Sequence, residues 1–159
     1  MSRGIIVTDL LISEDAVNKI ESYNFNGIEP FTIVLVEWEH ELRLYELVWD
    51  GKTHHFKQKP LAPYIWSSSL LYSPEIKKKR EFWFSNFLMN HINPSELDLL
   101  QFHKNAGDGN KETDIIMDRG FVMTKSITQF SNDNSGKMRY EDLSSKEVSK
   151  INFHEFLKR

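Results

Sequence analysis

A predicted helix that begins at Pro74 constrains the fold of this chain more than any other segment. Ser73 can cap it, Pro74 suits the first helical position because its missing N–H would be unpaired there, and Glu75 complements the positive end of the helix dipole. Side chains at spacings of three and four, most of them apolar, form one broad stripe that consists of Ile76, Arg80, Trp83, Phe84, Phe87 and Leu88. The lysines at 77–79 lie mostly on the opposite side. A sheet or other helices must cover the stripe.

Residues 65–70, just before this helix, are predicted to form an apolar strand and include three consecutive serines. Hydroxyls at the end of a strand that leads into a helix are a common place for chemistry in α/β proteins. Ser67 and Ser68 are therefore candidate site residues. The alternative, and the more common role of loop hydroxyls, is that they bond to backbone groups of local turns.

The composition, with 40% hydrophobic and 27% charged residues, is typical of a single globular domain over residues 1–159. A net charge of −3 and a pI near 6.1 argue against a nucleic-acid partner. The absence of cysteine excludes disulfides, zinc–thiolate sites and a cysteine nucleophile within this sequence. No apolar run approaches the roughly 18 residues of a spanning helix, which predicts a cytoplasmic protein without membrane insertion.

The first half of the sequence predicts two short helices, residues 5–12 and 13–20. Three strands are predicted after them, and they are residues 31–38, 42–49 and 52–57. The first strand is continuously β-branched or aromatic, which indicates a central strand buried on both faces.

Residues 50–51, Asp-Gly, separate two strand patterns and are a strong signal for a two-residue hairpin loop. Such a loop pairs Trp49 with Lys52 and Tyr45 with Phe56. Tyr45 and Phe56 are therefore expected to share one face of the sheet.

His54 and His55 are neighbours in the predicted third strand. Because side chains alternate along a strand, the two rings point to opposite faces and cannot chelate one metal together. No metal site and no cofactor are predicted from these residues.

Asn93, Pro94 and Glu96 have the pattern of a helix start with a capping box. The helix is expected to end near residues 106–107, where Gly107 can adopt the left-handed cap.

The polar loop at 107–114 alternates acidic and amide side chains like the start of a calcium-binding loop. Thr113 stands where that loop needs glycine, however, and Arg119 stands where it needs glutamate. The sequence therefore does not support a calcium site.

Residues 121–130 alternate and predict a strand, one side of which carries the hydroxyls of Thr124, Ser126 and Thr128. A hairpin returns through residues 137–143. The last stretch, 144–159, is interpreted as a terminal strand or a tail.

Grouped strands and grouped helices indicate an α+β layered domain and not alternating βαβ units. Two arrangements remain open on periodicity alone. One is a pair of stacked sheets covered by helices, and the other is a single sheet with helices on one face.

Seven segments carry a family resemblance. The first consists of Ser2-Arg3-Gly4 followed by Val7 and Leu10-Leu11, and the others are residues 26–32, 45–51, 66–72, 107–109, 117–119 and 125–128. In this order and spacing they resemble the NRDE proteins, whose eukaryotic members are called transport and Golgi organisation protein 2. Residues 45–51, 66–72 and 125–128 look like the bacterial branch. The resemblance covers nearly the whole chain, as the C-terminal part of the family's domain.

The resemblance implies an α/β/β/α sandwich similar to N-terminal nucleophile hydrolases, in which the residue at the chain start supplies both nucleophile and amine base. The family's N-terminal cysteine and its Asn-Arg-Asp-Glu motif are absent from this sequence. Ser2 aligns with an internal position and does not inherit the nucleophile's role. We therefore expect a fragment, a truncated product or half of a divided protein, inactive as a hydrolase by itself.

Two functional hypotheses follow from different classes of protein. The first is a hydrolase-like domain for an amide or acyl ligand, whose cleft is lined by orienting hydroxyls of Ser67, Ser68, Thr124, Ser126 and Thr128. The second is a non-catalytic carrier or chaperone for haem or another apolar ligand. Its candidate axial ligands are His54, His55 and His103, although an ordinary surface or core role is more common for such histidines.

The implied missing segment also leads to an expectation about partners. If absent strands normally pair with residues 121–130 or their neighbours, an unpaired edge remains, and such an edge is a template for another chain. A homodimer or a separate N-terminal polypeptide is therefore predicted.

Overall fold

The computed structural model describes residues 3–38, 40–68, 71–132 and 136–153. The chain divides into two compact units, Met1–Pro74 and Glu75–Arg159. Each unit contains a three-stranded antiparallel sheet and helices, so the α+β prediction is confirmed. The single-domain assignment stays a prediction. Within the described ranges, no helix combines the length and apolar character needed to cross a membrane.

Unit 1 has two short helices followed by a meander of three strands. The elements are α1 (Arg3–Leu11), α2 (Ala16–Glu21), β1 (Phe31–Glu37), β2 (Arg43–Trp49) and β3 (His54–Lys59). The two predicted helices are confirmed, and the carboxylate of Asp15 caps α2 by accepting a hydrogen bond from the N–H of Asn18 at 2.9 Å. The strand order is β1-β2-β3.

The prediction that residues 31–38 form a central strand buried on both faces is wrong. Within the described residues, β1 lies at the edge of its sheet and β2 is the middle strand. Val34 and Val36 are exposed, whereas Phe31 is buried. An uninterrupted apolar run shows that both faces are apolar, but it does not show that both are covered.

The predicted hairpin exists, but its register is shifted by two residues. Trp49 pairs with His54, and residues 50–53 form the loop. The Asp50 carboxylate causes this longer loop because its Oδ1 accepts hydrogen bonds from the N–H groups of Lys52 and Thr53, both at 2.7 Å. A shift of two preserves the faces, and Tyr45 still stacks on Phe56 with ring centroids 5.4 Å apart.

The core of unit 1 lies between the two helices and one face of the sheet. Its buried members are Ile6, Leu10, Ile20, Phe25, Ile28, Phe31, Leu47 and Trp49. The indole of Trp49 donates to the carbonyl of Ile28 at 2.9 Å, so the polar atom of this buried ring is satisfied. The opposite face of the sheet, which we call the open face, carries Thr32, Val34, Val36, Leu44, Glu46, Val48, His55, Lys57 and Lys59.

Unit 2 has two helices followed by a second meander. The elements are α3 (Pro74–Asn90), α4 (Glu96–Asn105), β4 (Ser126–Ser131), β5 (Lys137–Asp142) and β6 (Val148–Asn152). The predicted start of α3 at Pro74 is confirmed, and the buried part of its stripe packs against α4 through Phe84 and Phe102, whose ring centroids are 5.4 Å apart. Lys104 of α4 donates to Glu141 of β5 at 2.6 Å, so α4 covers one face of this sheet.

Two predicted details of α4 are wrong. The N-cap is Ser95, not Asn93, and the capping box joins Ser95 to Asp98. The reason is that the Asp98 carboxylate, three residues after Ser95, reaches the Ser95 N–H at 2.9 Å. Gly107 does not adopt the left-handed conformation, because the helix already ends at Ala106 in an extended conformation.

Two predicted strands differ from the structure. Residues 65–68 are irregular, and 69–70 lie outside the described residues. The predicted strand at 121–130 begins only at Ser126. Before it, the N–H of Thr124 bonds to the carbonyl of Met117 at 2.8 Å, and Gly120 turns the chain with a φ of 80°. The alternating pattern of residues 121–130 therefore includes loop residues that precede β4. Hydrogen bonds within the loop determine its conformation.

The late hairpin of β4 and β5 is confirmed, and the terminal stretch does form a strand, β6. Residues 133–135 of the hairpin loop lie outside the described residues. Among those described, β4 and β6 are the edge strands of this sheet. Pairing of β4 with another chain stays a prediction.

Candidate functional site

An open cleft of about 380 Å³ lies in unit 1 beside β1. It is lined by Arg3, Val7, Pro30, Phe31, Thr32, Ile33, Val34, Trp66, Ser67 and Ser68. Ser67 and Ser68, which the sequence predicts as site residues, both belong to this lining. The cleft is therefore the candidate functional site.

Three stretches of unit 1 build the cleft. Helix α1 supplies Arg3 and Val7 at its N-terminal end, and residues 30–34 lead into and along β1. Trp66 and the two serines come from the irregular segment that follows β3. An irregular segment leaves its side chains free of the strict alternation of a strand, so consecutive residues here line the same cleft.

Among the described lining residues, the polar side chains of the cleft supply three hydroxyls and one guanidinium. The hydroxyls belong to Thr32, Ser67 and Ser68, of which Ser67 is half-buried and Ser68 is exposed. The Nε of Arg3 lies 3.7 Å from a carboxylate oxygen of Glu29, and the two side chains are 50% and 69% exposed. An exposed pair at that distance contributes little to stability, so Arg3 can exchange Glu29 for another anion at low cost.

Trp66 is hydrogen-bonded to a residue on the open face of the sheet. Its Nε1 donates to Oε2 of Glu46 at 2.6 Å, and the Glu46 side chain is only 14% exposed. The Nζ atoms of Lys57 and Lys59 lie 3.0 and 3.8 Å from the same carboxylate. Burial by itself would raise the pKa of the Glu46 carboxyl, but the hydrogen bonds from Trp66 and Lys57 and the two lysine charges hold it below its ordinary value.

Tyr64 extends this cluster. Its ring centroid lies 5.3 Å from that of Trp66, and the ammonium of Lys59 lies 4.6 Å above the Tyr64 ring. The Tyr64 hydroxyl donates to the carbonyl of Pro60 at 3.1 Å. Residues 60–66 are therefore attached to the sheet by aromatic and charged contacts and not by strand pairing.

The other three predicted hydroxyls belong to unit 2. Thr124 is occupied locally, because its Oγ1 accepts from the N–H of Met117 at 2.9 Å and donates to the carbonyl of Ile115 at 3.3 Å. Ser126 and Thr128 lie on one face of β4, as predicted, and Thr128 is exposed. That all five hydroxyls line one cleft stays a prediction.

The three candidate axial histidines have ordinary contacts. His54 stacks on Phe25 with ring centroids 5.0 Å apart, and His55, its neighbour in β3, lies on the opposite face of the sheet. His103 places Nδ1 2.9 Å from the carbonyl of Leu99 in its own helix. Among the residues that the structure describes, no three His, Cys, Asp or Glu side chains come together as a metal site. Haem carriage stays a prediction.

The polar loop before β4 is built around Arg80, which is only 6% exposed. Its Nε and Nη2 donate to the carbonyl of Thr113 at 3.1 and 3.0 Å, and Nη2 also donates to the carbonyl of Asp114 at 2.6 Å. The Asp114 carboxylate accepts from the N–H groups of Asp108 and Gly109 at 2.9 and 3.2 Å. These contacts hold the loop in one conformation, because the Asp114 carboxylate at its end binds backbone N–H groups near its start.

The sequence predicts Ser67 and Ser68 as site residues, whereas it does not predict Arg3 and Thr32 of the cleft lining or Glu46, which binds Trp66. Glu46 could have been noticed, because it is the one charged residue within the run Leu44 to Trp49. A charged residue in the middle of a half-buried strand needs a partner, but the sequence does not show that the partner is Trp66.

Comparison of the chain with models of protein families, with curated proteins and with solved structures finds no match in any of the three. The resemblance to the NRDE family therefore rests on the sequence segments alone.

Proposed function

We propose that this chain binds a small acyl or amide ligand in the cleft of unit 1, as an NRDE-type domain of hydrolase-like fold. The observation that carries the proposal is the combination, in one cleft, of apolar walls with the hydroxyls of Ser67 and Ser68 and the guanidinium of Arg3. Apolar walls with a few placed polar groups are the usual composition of a small-molecule site.

The size and polarity of the cleft define the ligand class. About 380 Å³ is at the lower end of the range for small-molecule sites, which favours a short ligand. The apolar part of the ligand contacts Val7, Val34 and the Trp66 ring, and its polar head bonds to the serine hydroxyls. Arg3 favours a carboxylate over a neutral head through charge-assisted hydrogen bonds.

The described lining does not by itself supply an activated nucleophile. It contains hydroxyls, but its described residues include no His, Lys, Asp or Glu that could act as a base. The serines therefore act as orienting groups for the ligand, and turnover requires a nucleophile from outside this lining.

The pattern of each sheet, taken by itself, supports the proposed α/β/β/α sandwich. In unit 1, α1 and α2 cover one face of the sheet, and Val34 and Val36 are exposed on the other. In unit 2, α4 covers one face, and the opposite face exposes Phe130, Tyr140 and Ile151. Each sheet thus has helices on one face, as an outer layer of such a sandwich requires, whereas its other face mixes apolar side chains with polar and charged ones.

Binding is tested with hexanoate and hexanamide as probes, followed by ¹H–¹⁵N NMR. We expect both probes to shift the backbone amides of Ile33, Val34, Ser67 and Ser68. Ser67→Ala should weaken the binding of both probes by about two- to tenfold, because one hydrogen bond is lost. Arg3→Gln should weaken hexanoate more than hexanamide, because only hexanoate is charged.

The matched control is Ser85→Ala, which removes an exposed hydroxyl that donates to Glu81 within α3. It should leave both affinities unchanged. Shifts confined to other residues, or equal effects of Ser67→Ala and Ser85→Ala, would contradict the proposal.

The chain by itself is expected to be inactive as a hydrolase. Incubation with 4-nitrophenyl hexanoate should release 4-nitrophenol at the rate of buffer alone, because the described cleft has no base beside its hydroxyls. Turnover that disappears in Ser67→Ala would show that the serine is a nucleophile and would overturn its role as an orienting group.

A further inference from the structure

Glu46 is an acidic side chain on the open face that the proposed binding function does not use. It lies in the middle strand, with Val34 of β1 opposite on one side and Lys57 of β3 opposite on the other. Val34 lines the cleft, whereas Glu46 does not. The carboxylate is thus one strand away from the ligand site.

The connection between Glu46 and the cleft is the Trp66 ring. The indole N–H reaches Oε2 of Glu46 at 2.6 Å, and Tyr64 packs against the ring at 5.3 Å. A tryptophan has only two side-chain torsions, so a hydrogen bond at the N–H and a ring contact together restrict its orientation. The following residues, Ser67 and Ser68, carry the hydroxyls of the cleft.

Glu46 is itself held by two cations. Lys57 lies 3.0 Å from Oε1 and Lys59 lies 3.8 Å from Oε2, so each carboxylate oxygen has a cationic neighbour. Lys57 is mostly exposed, whereas Lys59 is only 19% exposed. A carboxylate with partners on both oxygens has few alternative orientations, and it can hold the indole in one place.

We propose that Glu46 is a positioning residue of the cleft: its carboxylate holds the Trp66 indole as the cleft wall and thereby places the hydroxyls of Ser67 and Ser68. The inference rests on the proposed function, because it names the residue that gives the ligand site its shape.

The first test measures the indole directly, without a ligand. The indole N–H signal of Trp66 is assigned in ¹H–¹⁵N spectra as the one that is missing from Trp66→Phe. We then measure its rate of exchange with solvent. Glu46→Leu should accelerate exchange about tenfold or more, because a hydrogen bond to a charged acceptor is lost. Glu46→Gln keeps an oxygen acceptor and should have a smaller effect. Glu14→Gln, which changes an exposed glutamate of unit 1, should have none.

The second test titrates the same variants with hexanoate and hexanamide. Glu46→Leu should weaken both probes by about three- to tenfold and shift the amides of Ser67 and Ser68, with Glu46→Gln in between. Both variants are first checked for a cooperative urea transition, and Glu46→Gln decides if Glu46→Leu does not fold.

The outcomes separate this inference from the proposed function. Unchanged indole exchange in a folded Glu46 variant overturns the inference, whatever the probes do. Faster indole exchange with unchanged probe affinity also overturns it, because the ring would then not shape the site. If the wild-type chain binds neither probe, the proposed function fails, and the Ser67 and Ser68 amides still decide whether Glu46 positions that segment.

Discussion

Replacement of Arg80 by methionine is expected to lower the free energy of unfolding of the protein by about 3 kcal/mol. The buried guanidinium donates three hydrogen bonds to the carbonyls of Thr113 and Asp114. Hydrogen bonds to a charged group are worth about 1.5–3 kcal/mol each, and their sum overstates the effect because they share one side chain. Methionine keeps the apolar stem of the residue in place but supplies no donor.

Urea denaturation followed by circular dichroism measures this change. The midpoint should fall while the slope of the transition stays constant, because the surface exposed on unfolding is unchanged. Lys78→Met, on an exposed position of the same helix, is the matched control and should shift stability by less than about 0.5 kcal/mol. Equal midpoints for Arg80→Met and Lys78→Met would show that Arg80 does not support the loop.

Gly107→Ala is expected to lower the free energy of unfolding by about 2–4 kcal/mol. The cause is not the backbone, because Gly107 does not have a φ in the left-handed region. A Cβ at residue 107 would lie 2.2 Å from Cγ of Asp114, which is far closer than two non-bonded carbon atoms can approach without movement. The Asp114 carboxylate cannot move away freely, because it accepts hydrogen bonds from the N–H groups of Asp108 and Gly109. The loop must give up these bonds or distort.

A double-mutant cycle with Asp114→Ala isolates the cause. The clash is absent from the Asp114→Ala variant, so adding Gly107→Ala to it should lower the free energy of unfolding by less than about 1 kcal/mol. The coupling energy is the difference between the effects of Gly107→Ala in the wild-type chain and in Asp114→Ala. Gly109 is a poor control because its φ is positive, so Ala106→Ser, next to residue 107, serves instead. Additive effects of Gly107→Ala and Asp114→Ala would contradict the contact.

The sequence by itself determined the local elements and the faces of this protein. The start of α3 at Pro74 and the α+β class follow from helix-start chemistry and from the period of apolar residues, which are properties of neighbouring positions. The shared face of Tyr45 and Phe56 was also predictable, because alternation along a strand survives a register shift of two. Ser67 and Ser68 line the cleft of unit 1, but their role as site residues stays a prediction.

Only the tertiary structure decided the register, the position of β1 at a sheet edge, and the residues that hold the site together. The hairpin loop depends on where the Asp50 carboxylate finds its donors, and the irregular course of residues 65–68 depends on contacts with the sheet. Glu46 and Trp66 are 20 residues apart, and Arg80 and Asp114 are 34 apart. Such partners are chosen by burial and geometry in three dimensions, because a buried polar group must find a partner wherever the folded chain brings one.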